Sequence, residues 1–243
     1  MNRRDVADLA GSVGLGAWAA FGVLNMIVIG RDGTPLAQDD QVLAWSLHHR
    51  PDEVVALARG VTATGTGIIP YALVVLAGVL AGRTVRQRVA AAALALVCLA
   101  AGQAVRYGLM AAVQRPRPPH ADWATHASGW SFPSGHATTA ALTAGILILA
   151  VRVRAPRGRN LLTGVIVAWG LLAGLTRALL AVHWSTDVLG GWLFAIGWGG
   201  LFLCAASWWL PQRFTPCRAS ASTCGANEST EPVEDHASQD PGR

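Results

Sequence analysis

The chain has 243 residues, of which 52% are hydrophobic and 14% charged, a balance too apolar for an ordinary soluble domain and suited to a membrane protein. Its formal charge of +5 rests on 19 basic residues, all arginine, scattered in small groups between apolar runs without forming a stripe, which argues against a nucleic-acid partner. Four cysteines add little: Cys98 and Cys204 sit inside apolar runs as small hydrophobes, and Cys217 and Cys224 lack the paired spacing of a zinc site.

A helix needs about 20 largely apolar residues to cross a bilayer. Six runs approach that length: residues 9–29, 68–81 with their flanks, 89–113, 137–151, 161–182 and 188–210. The first follows Arg3 and Arg4 but is longer than a signal core and ends without a small-x-small cleavage pattern, so it reads as an anchor. Before the second run, "RPDEVVALARGV" opens on Pro51, Asp52 and Glu53, a helix-start pattern. It predicts a short helix on the membrane surface, ended by the "TGTG" of residues 64–67. In the fifth run Gly170 and Gly174 suit close packing within the bundle.

After Pro211 the composition turns to Ser, Thr, Pro, Glu and Asp, which cannot bury enough surface to fold alone. The expected fold class is therefore all-α: an integral-membrane six-helix bundle over residues 1–214, followed by a disordered cytoplasmic tail over residues 215–243. If six helices alternate, the arginines at 3–4, 83–88, 152–159 and 213–218 share one side. Their excess marks that side, and with it both termini, as cytoplasmic, in a multi-pass protein of the cell membrane.

The opposite, extracytoplasmic side collects three polar stretches: "QRPRPP" after the third run, "PSGH" before the fourth, and "TRALLAVHWSTD" between the fifth and sixth. Each has a plain structural reading alone, as interfacial anchors, a helix cap and a local polar pair. Together they meet the needs of binding and attacking a phosphate without a metal or cofactor. Arginine presents a fork of donors to phosphate oxygens and keeps its charge. At the start of the fourth helix, backbone N–H groups near Ser134 and Gly135 face outward where the helix dipole favours an anion. A neutral His183 could attack phosphorus while Asp187 holds its other ring nitrogen, leaving His136 to protonate the departing oxygen.

These three stretches resemble the signature motifs of the type 2 phosphatidic acid phosphatase family. The resemblance implies a metal-independent membrane lipid phosphatase that forms a phosphohistidine at His183, oriented by Asp187, with His136 as acid. It places Arg117, Ser134, Gly135 and Arg177 around the phosphate. Two departures stand out. The third motif begins Thr176-Arg177 where the family usually has Ser-Arg, which keeps the hydroxyl. The first motif usually carries a lysine seven residues before its last arginine, and here that position is Met110 in a chain without any lysine. Arg115, beside Arg117, and Arg106, one turn before Met110, are the candidates to supply the missing charge, with Arg115 preferred for proximity.

The expected substrate is a lipid phosphate whose tail stays among membrane lipids: a polyprenyl diphosphate first, then phosphatidylglycerol phosphate or phosphatidic acid. Two alternatives are a vanadate-dependent haloperoxidase, whose related site sits in soluble proteins, and a transporter or binding protein that holds phospholipids without hydrolysis. His120 and His126 read as exposed loop histidines, and Trp123, Trp130 and Trp184 as interfacial anchors.

Overall fold

A computed structural model describes residues 3–209. The elements are α1 Arg3–Gly30, α2 Ala37–His48, α3 Asp52–Thr64, α4 Ile68–Ala81, α5 Val85–Val113, α6 Gly135–Arg154, α7 Arg159–Leu179 and α8 Ser185–Trp209, with a 3-10 turn at His120–Asp122. No strand occurs among the described residues, and the tail expected from residue 215 lies outside them.

Each of the six apolar runs becomes a helix: α1, α4, α5, α6, α7 and α8. Five of these are long and apolar enough to cross a membrane, and α4 is the exception. Its 14 residues rise about 21 Å, short of a hydrocarbon core of about 30 Å. Only with α3, across a bend of 52°, does it reach membrane-spanning length. The break falls where glycines allow it: Gly65 ends α3, and Gly67 takes φ 69°, a left-handed conformation open to glycine.

α3 is also more than a surface helix. It packs against α7, where Trp169 Nε1 donates to Thr64 Oγ1 at 2.8 Å and Gly65 abuts Ala173. α2 was not expected, because "AQDDQVLAWSLH" has little apolar periodicity. Asp39 fixes its start by accepting from the Leu36 N–H at 3.1 Å. α5 starts with a reciprocal cap, Thr84 Oγ1 accepting from Gln87 N–H and Gln87 Oε1 from Thr84 N–H.

Small residues let the helices approach closely. A Cβ on Gly78 of α4 would lie 2.3 Å from the Ala92 nitrogen of α5, and one on Gly14 of α1 would lie 3.1 Å from the Leu201 nitrogen of α8. Gly170 and Gly174 abut Ala144 of α6 and the Trp192 indole of α8. α6 forms the centre, flanked by α4, α5, α7 and α8. Phe132, fully buried, stacks on Phe21 of α1 at 5.8 Å and touches the bare Gly190 of α8. That contact pins the segment leading into α6. The antiparallel order then brings the C-terminal ends of α5 and α7 and the N-terminal ends of α6 and α8 to one end of the bundle. The arginines at 83–88 and 152–159 fall in the turns and adjoining helix ends at the other end.

Candidate active site

These four helix ends enclose a polar cavity of about 490 Å³. α5 supplies one wall through Gln103, Arg106, Tyr107 and Met110, residues three, four and seven apart and so on one face. The other walls are Thr66 at the break between α3 and α4, Gly135, His136 and Thr139 of α6, Arg177 near the end of α7, Arg117 with residues 126–130 of the intervening loop, and His183 ahead of α8. The histidines and three arginines, from four separate stretches of sequence, therefore share one cavity.

Arg117 is held rigidly. Its guanidinium donates to the carbonyls of Val182 (2.6 Å), Ser128 (2.8 Å), Gly129 (2.9 Å) and Trp130 (3.1 Å), and its NH1 lies 3.0 Å from Nε2 of His183. A guanidinium only donates, so Nε2 is the lone-pair nitrogen and the ring proton resides on Nδ1. Nδ1 faces Asp187 Oδ2 at 3.4 Å. Burial pushes the His183 pKa down to about 4, against the pull of Asp187, so the ring is neutral near pH 7. Asp187 Oδ2 also accepts from the Trp184 N–H at 2.8 Å and from the Ser131 hydroxyl.

Ser134 stands behind the cavity wall. Its N–H donates to the Asp187 carbonyl at 3.0 Å and is thus committed, its hydroxyl is buried without a hydrogen-bond partner, and it does not line the cavity. The free N–H groups at the start of α6 are those that follow, from Gly135 onward. Arg177 is buried, with NH1 3.4 Å from Thr62 Oγ1 and Nε unpartnered.

The two candidates for the missing charge separate clearly. Arg115 lies outside the cavity, fully buried: NH1 donates to Asp187 Oδ1 at 2.6 Å and Thr186 Oγ1 at 2.7 Å, NH2 to Asp39 Oδ2 at 2.7 Å, and Nε to the Gly33 carbonyl at 3.3 Å. Arg106 lines the cavity. Its Cζ is 3.3 Å from where a Gly135 Cβ would stand, so the absence of that Cβ lets the charge lie against the α6 N-terminus. Nε donates to Gln103 Oε1 at 2.9 Å, the guanidinium covers the Tyr107 ring at 3.9 Å, and NH1 points at Met110 Sδ at 3.6 Å. Of the two, Arg106 borders the cavity and Arg115, preferred on proximity, does not.

Asp39, Ser131, Gln103 and Thr139 were not singled out in the sequence. Asp39 reaches Thr186 across 147 positions, a contact no local pattern announces. Of the loop residues, His126 borders the cavity while His120 packs on Trp123. Trp184 is no interfacial anchor: it is buried, with Nε1 donating to the Pro116 carbonyl at 2.9 Å.

Residues 91–211 match the PAP2 superfamily. Phosphatidylglycerophosphatase B of Escherichia coli strain K12 is 37% identical over 86 residues, covering 35% of this chain and 31% of that protein, so the match spans about a third of that relative. Undecaprenyl-diphosphatase BcrC of Bacillus subtilis is 36% identical over 145 residues, 57% of this chain and 69% of the relative. Lipid A 1-phosphatase of Rhizobium etli is 32% identical over 102 residues, 38% of this chain and 40% of the relative. Among solved structures, a transmembrane PAP2-type phosphatidylglycerolphosphate phosphatase from Bacillus subtilis superimposes with a TM-score of 0.69 at 22% identity, covering 78% of this chain and 94% of that one, which establishes a shared fold.

Proposed function

Given that the chain belongs to the PAP2 superfamily, we propose that it is an integral-membrane phosphatase that releases phosphate from a lipid phosphate or diphosphate through a phosphohistidine at His183. The observation that carries this reading is the His183 ring itself, with its lone-pair nitrogen turned into an arginine-lined cavity and its other nitrogen backed by Asp187.

The substrate phosphate takes Arg106, Arg117, Arg177 and the N–H groups opening α6 as its partners. Its oxygens replace Nε2 as acceptor for Arg117 NH1, which frees the lone pair. Nε2 then bonds to phosphorus as the bond to the leaving oxygen breaks. The ring keeps its Nδ1 proton, becomes cationic, and is stabilised by Asp187. His136 protonates the departing oxygen, then takes a proton from the water that attacks phosphohistidine and returns free phosphate. Three guanidiniums supply the positive charge that a metal supplies elsewhere, and among the described residues no three His, Cys, Asp or Glu side chains gather as ligands.

Polyprenyl diphosphate is the substrate to test first, because the undecaprenyl-diphosphatase relative shares the longest stretch among those described, ahead of phosphatidylglycerol phosphate and phosphatidic acid. The cavity opens at the bundle end opposite the arginine-rich turns, which supports an extracytoplasmic site with both termini cytoplasmic. The membrane-length helices disfavour the haloperoxidase alternative. The deciding experiment is phosphate release from these three lipids by purified protein in detergent with EDTA present, beside His183→Ala. Release that survives EDTA and vanishes in the variant is expected. A strict magnesium requirement, or lipid binding without release, would overturn the mechanism.

A further inference from the structure

Behind His183, away from the cavity, three charged side chains form a buried line. Asp187 Oδ1 meets Arg115 NH1 at 2.6 Å, and Arg115 NH2 meets Asp39 Oδ2 at 2.7 Å, with all three shut off from solvent. Asp39 comes from α2, outside the matched residues 91–211, and holds the start of α8 through Ser185 Oγ (2.7 Å), Thr186 N–H (2.9 Å) and Thr186 Oγ1. Burial alone would raise the Asp39 pKa, but bonds from Thr186, Ser185, Leu36 and Arg115 outweigh it and keep the carboxylate ionised.

The charge count matters because the proposed attack makes the His183 ring cationic. On its cavity side the ring faces Arg117, Arg177, Arg106 and His136, all cationic or able to become so. Its counter-charge must come from behind. Asp187 alone cannot provide it, since Arg115 sits against that carboxylate and offsets its charge. Asp39, on the far side of the same guanidinium, restores a net charge of about −1 to the group.

Building on the phosphohistidine reading, we propose that Asp39 and Arg115 are positioning residues: Arg115 fixes the carboxylate of Asp187, and Asp39 gives the buried line the net negative charge that supports a cationic His183. α2 would then belong to the catalytic machinery, although it touches neither the cavity nor the substrate.

The test is the acid limb of kcat/KM in three variants, on one short-chain lipid phosphate so that substrate ionisation is common to all. Asp39→Asn keeps the shape and deletes a negative charge. The limb should move down by about one pH unit, and kcat should fall about tenfold with KM nearly unchanged. Arg115→Met leaves two carboxylates behind the ring, and the limb should move up by about one unit. The double variant Asp39→Asn with Arg115→Met returns the count to a single carboxylate, so the limb should return toward wild type and part of the kcat should be recovered.

A purely structural role would lower kcat and thermal stability without driving the limb in opposite directions. Limbs that stay in place, or move the same way in both single variants, would overturn the proposal. If Arg115→Met fails to fold, Asp39→Asn and the double variant decide: a limb lowered in the first and restored in the second supports it, and any other pattern overturns it. Turnover by His183→Ala would remove the nucleophile and this inference together. An inactive His183→Ala with unmoved limbs would leave the nucleophile standing and dismiss only Asp39 and Arg115.

Discussion

At the scale of single residues, the proposed mechanism gives the two histidines separable tasks. His136→Ala should lower turnover of a lipid phosphate by about 10²- to 10⁴-fold, but far less for p-nitrophenyl phosphate, whose leaving group departs without a proton. Equal losses on both substrates would show that His136 is not the acid. His183 must be neutral to attack, and its pKa lies near 4. As pH rises through 4 the ring loses its proton, so kcat/KM should climb there, and it should fall again at higher pH as His136 loses the proton it gives to the leaving oxygen, after allowance for the substrate's own ionisation near pH 6. A limb at the ordinary histidine value of about 6.5 would mean that the buried ring titrates as if exposed. Arg106→Met should raise KM and lower kcat together, since a charge against the α6 N-terminus binds the phosphate in the ground state and more strongly as charge develops in the transition state; unchanged kinetics would leave Arg117 and Arg177 as the binding pair. Motif spacing in the sequence points to His136, His183, Asp187, Arg117 and Arg177, and the structure gathers them in or directly behind one cavity. The choice between Arg106 and Arg115 could not be read that way. It depends on Gly135 lacking a side chain where Arg106 needs room, and on Asp39 arriving from a distant helix to claim Arg115.

At the scale of elements, the apolar runs were legible because a membrane imposes length and hydrophobicity on a local stretch. The bent pair α3 and α4 was not, since its span is shared between an amphipathic helix and a short apolar one joined by glycines. Nor was α2, whose place is set by the acceptors on Asp39 more than by an apolar face. The α4–α5 contact offers a direct test. Gly78→Leu would push a side chain into the backbone at Ala91 and Ala92, so the variant should unfold more readily in detergent, by roughly 1–3 kcal/mol, measured as a lowered midpoint of thermal aggregation. A midpoint equal to wild type would mean that α4 can slide on α5 without loss.

At the scale of the whole molecule, the side chains of the candidate site come from helix ends and the loops between them, yet much of the frame around them is backbone. Ser131 N–H donates to the Arg115 carbonyl at 2.8 Å, Ser134 N–H to the Asp187 carbonyl at 3.0 Å, and Ala124 N–H to the Leu180 carbonyl at 3.0 Å. The first closes the loop before α6 on itself, the other two stitch that loop to the start of α8 and the segment before it, and no side-chain substitution deletes them. A missing ring should therefore leave a mould of its own shape. His183→Gly, inactive alone, should regain partial turnover when imidazole is supplied in solution, with a saturable dependence on its concentration and release of phosphoimidazole as the intermediate. If imidazole at any concentration restores nothing while the variant remains folded, the mould has collapsed, and the ring was supporting its surroundings as well as reacting.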